Sequence, residues 1–115
     1  MNGPDLRRYP RVSLTRPVRI RTSSGAVVHA RMVNISQGGV AVLYESPAEI
    51  GATLELAFSL PVRGREVDFQ ERCVALYNYL SSGGYIIGFQ FAAPAAEAVE
   101  NLREFIAYKR SLQDR

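Results

Sequence analysis

Apolar and polar residues alternate along most of this chain, with a period of two. Val18 and Ile20 alternate with Arg19 and Arg21 from Arg16 onward, which predicts a half-buried strand. Ser23-Ser24-Gly25 is a turn, and Val27 to Val33 predicts the returning strand of a hairpin. Asn34 to Gly39 is polar and glycine-bearing, and Val40–Tyr44 reads as a short apolar strand. Pro47 and Gly51 bracket a connection. Beyond it Leu54, Leu56, Phe58 and Leu60 alternate with Glu55, Ala57 and Ser59, the cleanest strand pattern in the chain. Arg63-Gly64-Arg65 predicts a second tight turn. Val67 and Phe69 open a strand expected to reach Leu80, with a bulge at Glu71–Cys73 where the apolar phase slips. Ser81–Gly84 turns the chain again into a last strand, Tyr85–Phe91.

Six strands joined mostly by short turns predict a mainly β fold, an antiparallel sheet closed or nearly closed into a small barrel. No strand–helix–strand alternation occurs, which disfavours a parallel sheet. The last segment changes period. Ala95, Val99, Leu102, Phe105 and Ile106 fall on one helical stripe, with Glu97 and Glu100 early and Lys109 and Arg110 late, as the helix dipole prefers. One amphipathic C-terminal helix over residues 94–112, packed on the barrel, is expected. Residues 1–15 have no clear period, and Pro4 and Pro10 hold their neighbours extended. The expected organisation is therefore a flexible basic arm, 1–15, followed by a single barrel domain, 16–115.

The 115 residues suffice for one domain, and 47% apolar with 22% charged residues fits a folded chain. A single cysteine, Cys73, excludes an internal disulfide, and with the single histidine, His29, it argues against a structural zinc site, so no metal is expected. The basic start lacks a following apolar stretch, and no run approaches the roughly 18 apolar residues of a membrane span, so a cytoplasmic setting is expected. The net charge of +3 is unevenly spread: residues 1–33 hold seven arginines against Asp5, while the remaining 82 residues are net acidic. Thirteen of the fourteen basic residues are arginine, the planar donor that forks onto phosphate and onto the O6/N7 edge of guanine.

Nothing in the chain assembles a catalytic set, and no catalytic residues are assigned. There is no nucleophile elbow, metal-protease helix or phosphate-binding loop motif. Glu66 and Asp68 share one face of a strand but alternate with Val67 and Phe69, which reads as a solvated outer face. His29 sits on a sheet face, Cys73 reads as a small buried hydrophobe, and the six tyrosines read mostly as barrel lining. Tyr77 and Tyr79 share one face and are able to stack on a base.

Two segments carry recognition chemistry. Arg7-Arg8-Tyr9-Pro10-Arg11 places three guanidinium groups on an extended stretch that can wrap a ligand. Asn34-Ile35-Ser36-Gln37-Gly38-Gly39 sets Asn34 and Ser36 two apart, hence on one face of an extended backbone. Gly38 and Gly39 permit left-handed backbone and close approach of a ligand.

Together the two segments resemble the PilZ domain, the bacterial receptor module for cyclic di-GMP, whose signature is RxxxR on an N-terminal arm and then [D/N]xSxxG on a barrel strand. The chain offers Arg7-x-x-x-Arg11 and Asn34-x-Ser36-x-x-Gly39, with 22 residues between Arg11 and Asn34. Tyr85–Phe91 is similar to the family's final strand. The resemblance spans nearly the whole chain and implies a PilZ-like six-stranded barrel that is a receptor rather than an enzyme. By that resemblance Arg7 and Arg11 would grip phosphate and guanine edges, with Arg8 as an auxiliary cation. Asn34 would face a guanine, Ser36 would bond the ligand or fix the loop, and Gly38 and Gly39 would keep the backbone close. Binding would order the arm and present a surface to a separate effector protein, with one ligand per site favoured because Leu6 precedes the first motif arginine. No cofactor beyond the nucleotide ligand is implied. Two other readings stand beside it: a small basic barrel for single-stranded nucleic acid, which the net acidity beyond residue 33 argues against, and a PilZ-like protein adaptor that binds no nucleotide, which the intact motifs argue against.

Overall fold

Period-two alternation produces six strands because each such stretch has one face to bury and one to wet. The computed structural model describes residues 9–113. Its elements are β1 (Val12–Arg21), β2 (Val27–Ile35), β3 (Gly39–Tyr44), β4 (Thr53–Val62), β5 (Arg65–Ser81), β6 (Gly84–Phe91) and α1 (Ala96–Gln113). The strands close into an antiparallel barrel in the order β1-β2-β3-β6-β5-β4. Its interior is filled by alternate residues such as Val18, Met32, Val42, Leu56, Leu60 and Phe89, all essentially inaccessible. The β4–β5 turn puts Arg63 (φ 53°) and Gly64 (φ 79°) in the left-handed region that two-residue hairpins require.

Closure is uneven around the ring. β4 pairs with β5 over its whole length, but β1 meets β4 through only three pairs, Arg19–Ala57, Ile20–Leu56 and Arg21–Glu55. Beyond Arg19 the two strands part and leave a seam. Three side chains of α1, Leu102, Phe105 and Ile106, join the core here, and the helix lies against β4 and β1. Burying each contributes about 1.5–3 kcal/mol, so the helix works as a plug. Pro17 and Pro61, with no N–H to donate, sit on the two unpaired stretches, where proline deters a foreign strand. Arg16 reaches across β4 to Glu66 of β5 at 2.6 Å. A second exposed pair, Arg63–Glu104 at 2.8 Å, ties the β4–β5 turn to α1, raising the guanidinium pKa and lowering that of the carboxyl through their hydrogen bond and charge.

Three local expectations are corrected. First, β1 begins at Val12, not Arg16: Val12 and Leu14 point into the core and Val12 pairs with Ile35, so residues 12–15 belong to the barrel rather than to an arm. Second, the phase does not slip at Glu71–Cys73. Phe69, Glu71, Cys73 and Ala75 are all buried in unbroken alternation, and the irregularity falls between Ala75 and Tyr77, where the pairing to β6 shifts by one residue. A charged residue facing inward looks like a phase change in sequence. Third, the tyrosines do not line the barrel: Tyr9, Tyr79 and Tyr108 are exposed, and Tyr44 and Tyr85 pack at its margin. Glu66 and Asp68 are exposed, as expected.

Glu71 is 8% exposed and has no cationic partner among the described residues. Burial raises the pKa of its carboxyl, and burial together with the Glu71 charge pushes the Cys73 thiol up to about 12. A carboxyl whose folded pKa lies above its unfolded one favours the neutral form in the fold. Its stabilising share is complete at low pH and is lost as pH rises through that range. Glu71→Gln should therefore raise the melting temperature at pH 7 by a few degrees. The gain should disappear below about pH 4, the ordinary carboxylate range. Thermal melts of both proteins across pH check this, and a gain independent of pH contradicts it.

Candidate ligand-binding site

The polar segment between β2 and β3 folds as a turn locked by one hydroxyl. The N–H of Ser36 donates to the Gly39 carbonyl at 2.8 Å, and Ser36 Oγ accepts from the N–H groups of Gly38 and Gly39 at 3.1 and 3.2 Å. The hydroxyl in turn donates to the Gly39 carbonyl at 3.4 Å. The Gly38 carbonyl accepts from Phe91 N–H at 3.0 Å, which pins the turn to the end of β6. Ser36 is only 2% exposed. Of its two expected roles, the geometry assigns fixing the loop. It also separates Ser36 from Asn34: the serine is drawn into the turn, while Asn34 stays half-buried on the outer face of β2. Gly38 and Gly39 do not use the left-handed backbone open to them; among the described residues the glycines with positive φ are Gly25, Gly51, Gly64 and Gly84.

β1 brings the arginine approach to this turn. Val12 pairs with Ile35 and Ser13 with Asn34, so Arg11, exposed and next to Val12 in the chain, enters at the end of β2 that leads into the turn. Arg7 and Arg8 lie outside the described residues. The structure thus brings Arg11, Asn34, Ser36, Gly38 and Gly39 to one edge of the barrel wall.

Register adds neighbours that local sequence does not reveal. Ser13, Asn34, Ala41, Gly88 and Tyr77 follow one another across β1, β2, β3, β6 and β5. Ala41 faces outward, between the inward Val40 and Val42, yet is 2% exposed. Gly88 is also buried, because the Tyr77 ring lies directly over it; a Cβ at Gly88 would collide with that ring. Tyr79 stacks beside Tyr77 with centroids 6.2 Å apart. The result is a shallow floor of small residues with an aromatic wall on one side and the Asn34 amide on the other. Tyr77 and Tyr79 were visible as a possible stacking pair; Ala41 and Gly88 gave no signal because their role depends on which strands are adjacent. Nearby, Arg31 and His29 are exposed on β2, outward of the same wall.

These features describe a small antiparallel barrel whose outer wall, next to the β2–β3 turn, offers polar, cationic and aromatic groups together. The PilZ domain profile matches residues 5–108, and the chain belongs to that family. No curated protein matches the sequence significantly. Among solved structures, the chain is similar to the Bacillus subtilis inhibitor of motility MotI/DgrA (TM-score 0.81, 22% identity, 97% of this chain and 54% of that one). It is also similar to the PilZ domain of YcgR from Escherichia coli with c-di-GMP (TM-score 0.68, 14% identity, 96% of each chain). A third is the MrkH–c-di-GMP complex of K. pneumonia (TM-score 0.72, 18% identity, 96% and 55%). These likenesses establish the fold. The chain spans about half the length of the MotI/DgrA structure, 54%, and of a longer YcgR structure from Escherichia coli in complex with c-di-GMP, 47%. No described helix is long and apolar enough to cross a membrane.

Gly88→Ala should force the Tyr77 ring off its seat and cost about 1–3 kcal/mol, as overpacking does. Denaturant unfolding and the Tyr77 ring resonances measure both effects. An unchanged midpoint with unmoved Tyr77 signals would refute the contact.

Proposed function

We propose that this chain is a receptor for cyclic di-GMP that passes its signal to a separate effector protein. The observation that supports the reading is the β1–β2 register, Val12 to Ile35 and Ser13 to Asn34, which starts β1 directly after Arg11 and beside the strand that leads into the Asn34–Gly39 turn. Membership of the PilZ family and the c-di-GMP complexes of the similar YcgR and MrkH structures support it. The ligand carries two phosphodiester charges and two guanines. Arg7 and Arg11 fork onto these groups, Arg8 adds charge, and the Asn34 amide meets a guanine edge. Ser36, Gly38 and Gly39 hold the turn that aims Asn34. The protein performs no chemistry on the ligand and needs no metal or cofactor.

Calorimetric titration with cyclic di-GMP tests the reading on the parent, Arg11→Ala and Asn34→Ala. Loss of one bidentate arginine contact, about 1–3 kcal/mol, should weaken binding roughly 5- to 150-fold. Unaltered affinity in Arg11→Ala would remove the site assignment. Binding of single-stranded oligonucleotides that is tighter than cyclic di-GMP binding and falls steeply with salt would favour the nucleic-acid reading instead.

Arm ordering is part of the same proposal. Ligand anions neutralise the cluster formed by Arg7, Arg8 and Arg11 and let the arm settle on the wall, changing the surface an effector meets. Heteronuclear NOEs of the backbone amides of residues 5–11, Pro10 apart, should rise markedly on saturation with ligand. Identical relaxation with and without ligand contradicts the switch.

A further inference from the structure

β5 runs on after β4 has ended. β4 pairs with β5 from Arg65 to Val74, and the last bonds on that side are Gly51 N–H to the Ala75 carbonyl and Ala75 N–H to the Ala52 carbonyl, 2.8 and 3.0 Å. Among the described residues, Tyr77–Ser81 pairs only with β6. Among the described residues, the other edge of this stretch is met only through a side chain, Asn78 Nδ2 donating to the Ala48 carbonyl at 2.8 Å. The stretch also presents exposed apolar groups, Tyr79 at 56% and Leu80 at 71%.

Unpaired strand edges attract other strands, and proteins usually block them with charge or proline. The seam between β1 and β4 is blocked in that way, by Pro17, Pro61 and the Arg16–Glu66 pair. Tyr77–Ser81 itself carries neither device; the loop that reaches Asn78 holds Pro47 and Glu49 on either side of Ala48. From Cys73 to Ala96 the chain has 24 residues without one Asp, Glu, Lys, Arg or His, although the rest of it is highly charged. A neutral edge offers no complement to a charged partner segment. It faces no repulsion from its own copy.

We propose that Tyr77–Ser81 of β5 is a self-association edge, at which two copies of this chain pair antiparallel about a two-fold axis. Antiparallel pairing in one sheet places that axis perpendicular to the sheet, so the outer faces of both copies look the same way. Tyr77 and Tyr79 of the two chains then line one continuous surface, while Leu80 of each packs on the opposite side of the joint. This pairing requires no nucleotide and stands apart from the proposed receptor role.

Analytical ultracentrifugation of the ligand-free protein tests it from about 10 μM to about 1 mM, the range suited to a short, low-area interface. A monomer–dimer equilibrium is expected, with amide hydrogen exchange at residues 77–81 slowing as concentration rises. Leu80→Lys, at an exposed position that leaves the core intact, should weaken association at least tenfold. Its unchanged melting temperature would confirm that the fold survives. A protein that stays monomeric throughout, a dimer indifferent to Leu80→Lys, or protection that arises elsewhere would overturn the proposal.

Discussion

Closing six strands into a ring is the constraint on which the rest of this molecule depends. A sheet that curls must bring its first and last strands together, and here β1 meets β4 through only three residue pairs. That shortfall explains the sequence that follows the barrel. α1 supplies Leu102, Phe105 and Ile106 to the part of the interior that strand pairing leaves uncovered. It also explains Arg16, drawn from β1 across β4 to Glu66, and the prolines on both unpaired stretches. Each device addresses the same gap.

The candidate site stands on the well-paired side of the ring. β3 and β6 are joined there without interruption, β2 joins β3 with one register shift between Met32 and Asn34, and the Ser36 hydroxyl uses its bonding capacity inside the turn. The turn that follows Asn34 is therefore held by its own hydrogen bonds and by the Phe91 N–H. For the proposed ligand, a turn fixed in advance would leave less to reorganise on binding.

Much of this could be read from the residues in order. Alternation located all six strands, and the change to a helical stripe at Ala95–Ile106 located α1, because both follow from local period. The motif residues were legible as types at fixed offsets. What local order concealed was adjacency. The row from Asn34 through Ala41 and Gly88 to Tyr77 exists only once β3 lies beside β6 rather than beside β4. Glu71 misled because inward-facing carboxylates are rare enough that polarity is normally taken for exposure. Ser36 is a milder case: its spacing from Asn34 suggested a shared face, and the tight turn overrode the strand geometry that made it so.

The position of β1 gives the fold a mechanical character. The same strand that closes the barrel weakly also carries the chain that leads into the arm, so tension on the amino terminus acts first on Val12 and Ser13 and their partners Ile35 and Asn34. Those ladder bonds would be loaded one after another, as in opening a zipper. The polar turn would feel a pull on the arm before any other part of the barrel did.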